Sequence, residues 1–279
     1  THKYRFIGAM SALHGRTLAT ISAGNNAKHL EGFGPRVGGF DHVAFNNPNE
    51  LRAAITEETA AVLVEPIQGE GGIAPADLSY LRALRETCDE FGILLIYDEV
   101  QCGVGRTGRL FAHQWADGTA DPDLMAVAKG IGGGFPLGCF LGTTEAMAGI
   151  SAGMHGTTYG GNPLASRVGC AVLDVMLQPG FMERVYAASN RLWDGLGAIV
   201  DAHPHVYQLR RGAGLMQGLM ITQPHTCGEI VERLRDDHHL LTVPAGQNVI
   251  RLLPPLIVSD AEIDQALEAL NAVGVAIRG

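Results

Sequence analysis

Lys129 lies in Ala126-Val127-Ala128-Lys129-Gly130-Ile131-Gly132-Gly133-Gly134, where a single amine stands between an apolar stretch and a glycine-rich run. Asp98 ends an earlier strand-like run, Ile93-Leu94-Leu95-Ile96-Tyr97-Asp98. A lysine in a partly dry pocket loses its proton readily and condenses with a carbonyl, and a buried carboxylate can keep a pyridinium nitrogen protonated. Together these are the requirements of pyridoxal phosphate chemistry.

Other motifs have ordinary structural readings. Gly103-Val104-Gly105-Arg106-Thr107-Gly108 matches G-x-G-x-x-G, but residues 99–102 separate it from the preceding strand and Arg106 occupies the tight turn, so a nicotinamide site is not expected. Gly149-Ile150-Ser151-Ala152-Gly153 matches the hydrolase elbow but follows a short helix-like stretch, 144–148, rather than a strand. His203-Pro204-His205 and His238-His239 lack metal-ligand spacing and read as solvated loops. Thr157-Thr158-Tyr159-Gly160-Gly161-Asn162-Pro163 offers hydroxyl and N–H groups ahead of a helix start, which suits a phosphate; the plainer reading of Thr158 is the start of that helix.

The elements that position these residues alternate. Strand-like runs at 60–66, 93–98, 123–128 and 137–142 are interleaved with helix-period segments, which argues for an α/β chain with a mostly parallel central sheet. Leu78, Leu81, Leu84, Cys88 and Phe91 recur at spacings of three and four between a capping Asp77 and Gly92. A further helix is expected over 162–177. In open α/β sheets ligands sit beyond the carboxyl ends of the strands, where Glu65, Asp98 and Lys129 all fall. Pro179-Gly180 breaks the pattern. The expected domains are a large one over 1–180 and a smaller C-terminal α+β one over 181–279, with helices over 181–202, 229–235 and 259–273, the last capped by Ser259 and Glu262.

Composition narrows the function classes. Lys plus Arg minus Asp plus Glu is 20 − 29 = −9, without a basic block, so nucleic acid is not an expected partner. The 5 cysteines are scattered without a CxxC pair, which suits a reducing cytoplasmic setting. No apolar run reaches the roughly 18 residues of a membrane span, so no membrane partner is expected. The start, Thr1-His2-Lys3-Tyr4-Arg5-Phe6-Ile7, reads as a strand already under way inside a domain, not as a signal peptide.

Taken in order, several segments resemble the class III, fold-type I pyridoxal phosphate aminotransferases, most closely those acting on acetylornithine. They are Leu13-His14-Gly15-Arg16-Thr17, Glu65-Pro66-Ile67-Gln68-Gly69-Glu70-Gly71-Gly72, Tyr97-Asp98-Glu99-Val100-Gln101 with 103–108, Ala128-Lys129-Gly130, 155–162 and Arg251-Leu252-Leu253-Pro254-Pro255. The resemblance implies pyridoxal 5'-phosphate as cofactor. It gives Lys129 the Schiff base and the later proton shuttle, Asp98 the pyridinium nitrogen, Val100 one ring face and Gln101 the ring hydroxyl. Thr158 would reach the cofactor phosphate of a neighbouring subunit, which implies a homodimer with its active site at the subunit interface. Arg16 would clamp a substrate carboxylate through its guanidinium fork. Glu70 would act as a gate pairing with Arg251, so that one pocket accepts both an ω-amino donor and 2-oxoglutarate; the plainer reading of Arg251 is a structural ion pair.

The implied reaction is transfer of the δ-amino group of N2-acetylornithine to 2-oxoglutarate in arginine biosynthesis. Succinylornithine, ornithine and 4-aminobutyrate transamination are alternatives, as is a truncated, non-catalytic chain. Two departures stand out. Leu13 replaces the family's ring-stacking aromatic, an expected loss of about 0.5–1.5 kcal/mol of aromatic pairing. The family's front part, with its phosphate-holding loop, is expected to be absent.

Overall fold

The apolar runs become short strands. In chain order they are β1 (Arg5–Ala9), β2 (Phe40–Val43), β3 (Thr59–Val64), β4 (Ile67–Gln68), β5 (Ala74–Pro75), β6 (Leu94–Asp98), β7 (Leu124–Val127), β8 (Cys139–Gly142), β9 (Tyr207–Ala213), β10 (Met216–Ile221), β11 (Val243–Ala245) and β12 (Val249–Leu252). The helices are α1 (Leu18–Gly24), α2 (Ala27–Leu30), α3 (Pro48–Ala54), α4 (Leu78–Phe91), α5 (Thr144–Met147), α6 (Pro163–Met176), α7 (Phe181–Ala202), α8 (Cys227–His238) and α9 (Asp260–Ala276). The computed structural model describes residues 2–277. These form two compact units, one of residues up to 66, 76–104 and 111–178, the other of 67–75, 105–110 and 179 onward.

The first unit is built on one sheet of order β2-β1-β3-β6-β7-β8. Its neighbours are parallel except β7 and β8. Gly8 pairs with Leu63, Val64 with Tyr97, and Asp98 with Ala126, so the carboxyl ends of β1, β3, β6 and β7 lie level. Buried Ile7, Val62, Val64, Leu95 and Tyr97 fill this sheet. The α4 helix buries Tyr80, Leu81, Leu84 and Cys88, the three-and-four spacing of an amphipathic face. Full burial of one such leucine contributes about 1.5–3 kcal/mol. Leu78 and Phe91, at the helix ends, fall outside the stripe and stay exposed. Gly92 closes the helix at φ +58, a left-handed position that glycine adopts without steric cost, and its N–H reaches back to Cys88 O and Asp89 O.

The second unit is an antiparallel sheet of order β11-β12-β10-β9 with helices α7, α8 and α9. Its core holds Val185, Leu192, Leu196, Leu219, Ile230, Ile250 and Leu270, and the buried Tyr207 hydroxyl donates to Leu270 O at 2.8 Å. Ser259 and Glu262 cap α9 reciprocally, as expected, and Thr226 with Glu229 caps α8 in the same way. One expectation is corrected. His203 is not on a solvated loop: it is 8% exposed, bonds Asn271 Oδ1 at 2.8 Å, and is followed by His205, which bonds Gly274 O and Ile277 O at the end of α9. Helix ends leave carbonyls without intrahelical partners, and an imidazole N–H supplies one. Among the described residues no helix is long and apolar enough to cross a membrane.

Candidate active site

The level strand ends of the first unit gather the residues that the sequence singles out. Asp98 ends β6, and its side chain is 9% exposed. One oxygen accepts from His14 Nδ1 at 2.8 Å, the other from the Val100 N–H at 3.0 Å. An ionised carboxylate can only accept, so His14 carries its hydrogen on Nδ1. His14 follows β1 in the chain and its side chain is 3% exposed; its Nε2 is buried without a hydrogen-bond partner. Sequence reasoning gave His14 no role, although it stands between Leu13 and Arg16. Glu65, 2% exposed, accepts the Leu13 N–H at 2.8 Å and so ties the segment after β1 to the end of β3.

Glu99 anchors the other side of Asp98. Fully buried, it accepts the N–H groups of Ala112 and His113 at 2.7 and 2.9 Å, and the His113 ring at 2.9 Å. A carboxylate at a 3₁₀ turn start satisfies donors that the turn leaves open. With Glu99 fixed, Val100 and Gln101 leave the strand end half-buried.

Lys129 opens the 3₁₀ turn Lys129–Gly132, just past β7 and three residues beyond Ala126, the partner of Asp98. Its φ is +50. A non-glycine residue in that region persists only where its surroundings hold it, and such residues cluster at functional sites. The neighbouring Gly130 has no room for a side chain: a Cβ there would stand 3.1 Å from Val104 Cβ, and Val104 itself has φ +54. The expectation of a partly dry lysine is corrected, because Lys129 is exposed in this chain.

Arg16 is exposed and makes no hydrogen bond or ion pair with another described residue, which leaves its fork available. Leu13 is half-buried, and Thr158 is exposed ahead of the Asn162-capped α6. The same unit exposes a run of large apolar side chains: Phe140 at 51%, Ile150 at 55%, Met154 at 67%, Tyr159 at 81% and Leu164 at 63%.

The second unit holds a separate pair. Arg251 of β12 donates through Nη1 to Glu70 Oε1 at 2.6 Å, with side chains 7% and 33% exposed. Residues 103–108 form turns, not the start of a helix, and Arg106 donates to Leu215 O and Pro254 O, so this glycine motif serves structure. None of the 5 cysteines forms a disulfide, and no cluster of His, Cys, Asp or Glu among the described residues is placed to hold a metal.

The residues of the first unit fit pyridoxal phosphate. Each oxygen of Asp98 accepts one hydrogen bond and retains a lone pair for a pyridinium N–H. The orphaned His14 Nε2 marks a polar spot at the same place, and an amine stands on the next strand end.

The fold is thus an α/β sheet with an acid and a lysine on adjacent parallel strand ends. The profile of the family described as aminotransferase class-III matches residues 1–273, and the chain belongs to that family. Over 270 residues it is 57% identical to an acetylornithine aminotransferase of Mesorhizobium japonicum, covering 97% of this chain and 66% of that protein. It is 56% identical to the acetylornithine aminotransferase of Brucella melitensis, over 96% of this chain and 66% of the other. Among solved structures it resembles ornithine aminotransferase of Toxoplasma gondii with a TM-score of 0.92 at 29% identity, covering 98% of this chain and 65% of that one. It also resembles N-acetylornithine aminotransferase of Stenotrophomonas maltophilia, with a TM-score of 0.81 at 33% identity, covering 99% and 66%. The chain thus spans about two thirds of the length of the curated relatives it matches, 66% in both cases.

Proposed function

We propose that the chain serves pyridoxal phosphate-dependent transfer of the δ-amino group of N2-acetylornithine to 2-oxoglutarate, yielding the semialdehyde and glutamate for arginine biosynthesis. The observation that carries this reading is the register of β6 and β7, which sets Asp98 beside Ala126 with Lys129 three residues on. Identity to proteins named acetylornithine aminotransferase supports the donor.

When bound, the cofactor supplies an aldehyde that condenses with amines and a ring that withdraws electrons. Lys129 Nζ would hold it and would also move the proton at the substrate carbon. Asp98, oriented by His14 and the Val100 N–H, keeps the ring nitrogen protonated. Leu13 and Val100 would pack on the ring faces and Gln101 would meet the ring hydroxyl. Arg16 takes the donor carboxylate. Arg251 takes a carboxylate of 2-oxoglutarate once Glu70 swings away, so donor product leaves before acceptor enters.

A homodimer completes this reading, with Thr158 of each copy at the other's cofactor phosphate. The exposed apolar run from Phe140 to Leu164 supports burial against a second copy. The setting is cytoplasmic, in keeping with five cysteines outside any disulfide. The likeness to ornithine aminotransferase keeps free ornithine as an alternative donor.

The test uses the full-length protein incubated with pyridoxal phosphate. A visible absorption band that borohydride abolishes, with the label on the Lys129 peptide, is expected, and Lys129→Ala should remove both label and turnover. Acetylornithine should lead a panel with succinylornithine, ornithine and 4-aminobutyrate. No band with added cofactor would instead favour a non-catalytic chain.

A further inference from the structure

Arg211 and Arg251 flank a glycine. In the small sheet, Gly218 of β10 pairs with Arg211 of β9 on one side and with Arg251 of β12 on the other. Directly paired residues of antiparallel strands share a face, so both arginines project on the same side with a gap between them. Ile73 fills that gap: a Cβ built on Gly218 would lie 3.2 Å from Ile73 Cγ1. Ile73 is fully buried and has φ +51, an outlier for a β-branched residue that persists only where the surroundings over-determine it.

The two arginines do different things. Arg251 holds the Glu70 side chain. Arg211 holds the backbone of the same turn, donating to Gly72 O at 3.2 Å, and it braces itself on Gln247 Oε1 at 2.7 Å. The facing turn adds two more restraints. The Gly246 N–H donates to Glu70 O at 2.9 Å, and Gly72, at φ +112, approaches so closely that a Cβ there would stand 2.6 Å from Gly246 O. The backbone is therefore gripped at Glu70, Gly72 and Ile73, whereas the Glu70 side chain is one-third exposed and held by one bond from Arg251.

We infer that Arg211 is a positioning residue for the Glu70 gate: with Ile73 and Gly218 it fixes the 70–73 backbone, so that the exchange of partners at Arg251 is a rotation of the Glu70 side chain alone. The inference rests on the Glu70–Arg251 exchange proposed above. Both bonds of Arg211 leave one nitrogen, Nη1, and both partners are neutral acceptors, so its contribution is a pair of directed N–H donors more than its charge. A gate whose hinge lies in one side chain returns to the same closed position each cycle. If the backbone drifted, Glu70 would leave Arg251 open to compete for the donor carboxylate.

The experiment follows the two half-reactions separately by single turnover in the cofactor-loaded full-length protein, and hydrogen exchange over 67–75. In Arg211→Met, exchange in that segment should quicken about tenfold or more as local opening becomes easier. The donor half-reaction should lose about tenfold in kcat/KM while the 2-oxoglutarate half-reaction changes less than about threefold. Arg211→Lys, whose single ammonium can donate to both acceptors, should restore part of the loss. Glu70→Gln should show the same split, and the double variant should be no worse than Glu70→Gln alone, since both changes act on one device. Should Arg211→Met not fold, Ile73→Ala reads the same pattern. Equal loss in both half-reactions, full additivity with Glu70→Gln, or unchanged exchange overturns the inference. A Glu70→Gln variant that alters neither half-reaction defeats the exchange itself, whereas a split in Glu70→Gln without one in Arg211→Met defeats only the role of Arg211.

Discussion

His14 Nδ1 lies 2.8 Å from Asp98 Oδ2, joining residues 84 positions apart in the chain and fixing the acid that faces the proposed ring nitrogen. With the Val100 N–H on the second oxygen, the carboxylate has one orientation. His14→Ala removes the only side-chain donor bonded to it among the described residues. A hydrogen bond to a charged group contributes about 1.5–3 kcal/mol, so kcat should fall about tenfold to a hundredfold with little change in KM. His14→Asn, which keeps an N–H donor, should recover part of the loss. A cofactor absorption spectrum and pH titration identical to the parent's would count against this role.

Arg16 is exposed and unpaired among the described residues, so its fork is ready for a carboxylate. Arg16→Lys keeps the charge and loses the bidentate geometry, and KM for the donor should rise about tenfold or more. Steady-state kinetics with acetylornithine measure it; an unaltered KM would place the carboxylate elsewhere.

Leu13 stands where the family carries an aromatic ring. Leu13→Phe should tighten pyridoxal phosphate binding by the about 0.5–1.5 kcal/mol of aromatic stacking, up to roughly tenfold in Kd. Equilibrium dialysis decides; weaker binding would mean that the pocket is shaped around the leucine.

Leu84 is fully buried on the inner face of α4, whereas Leu78 at its start is 40% exposed. Leu84→Ala should cost about 2–5 kcal/mol of stability in urea unfolding through lost burial and the cavity left behind. Leu78→Ala should stay near the roughly 0.5 kcal/mol of ordinary surface changes. Similar losses for the two would contradict the burial pattern of this helix.

Arg5 donates to both oxygens of Asp41 across β1 and β2, at 2.8 and 2.6 Å. Hydrogen bonding to Arg5 holds the Asp41 carboxyl below its usual value. A folded-state pKa that is depressed stabilises above the unfolded pKa of about 3.9, and the gain disappears as pH falls through the lower folded value. Asp41→Asn should therefore lower Tm slightly at pH 7 and not at all at the acid end, a modest effect because the pair is partly solvated. A Tm difference that persisted at the acid end would refute the linkage.

Much of the scaffold was legible from spacing alone. The three-and-four recurrence of Leu81, Leu84 and Cys88, stopped by Gly92, marks α4 to the residue at its carboxyl end. The apolar runs before Glu65, Asp98 and Lys129 mark β3, β6 and β7. His203 was misread because a polar His-Pro-His string carries no sign of the helix end it caps.

The chain's residues alone determined which strand ends would carry an acid and an amine, because hydrophobic periodicity and glycine breaks are local signals. Tertiary structure decided which groups meet: the His14 ring with Asp98, the Leu13 backbone N–H with Glu65, and Arg211 and Arg251 on either side of Gly218. It also decided that Lys129 stays exposed. Those outcomes depend on strand register, and a shift of one residue would turn every side chain to the opposite face. Register is set by packing over the whole sheet, which no short stretch of sequence encodes.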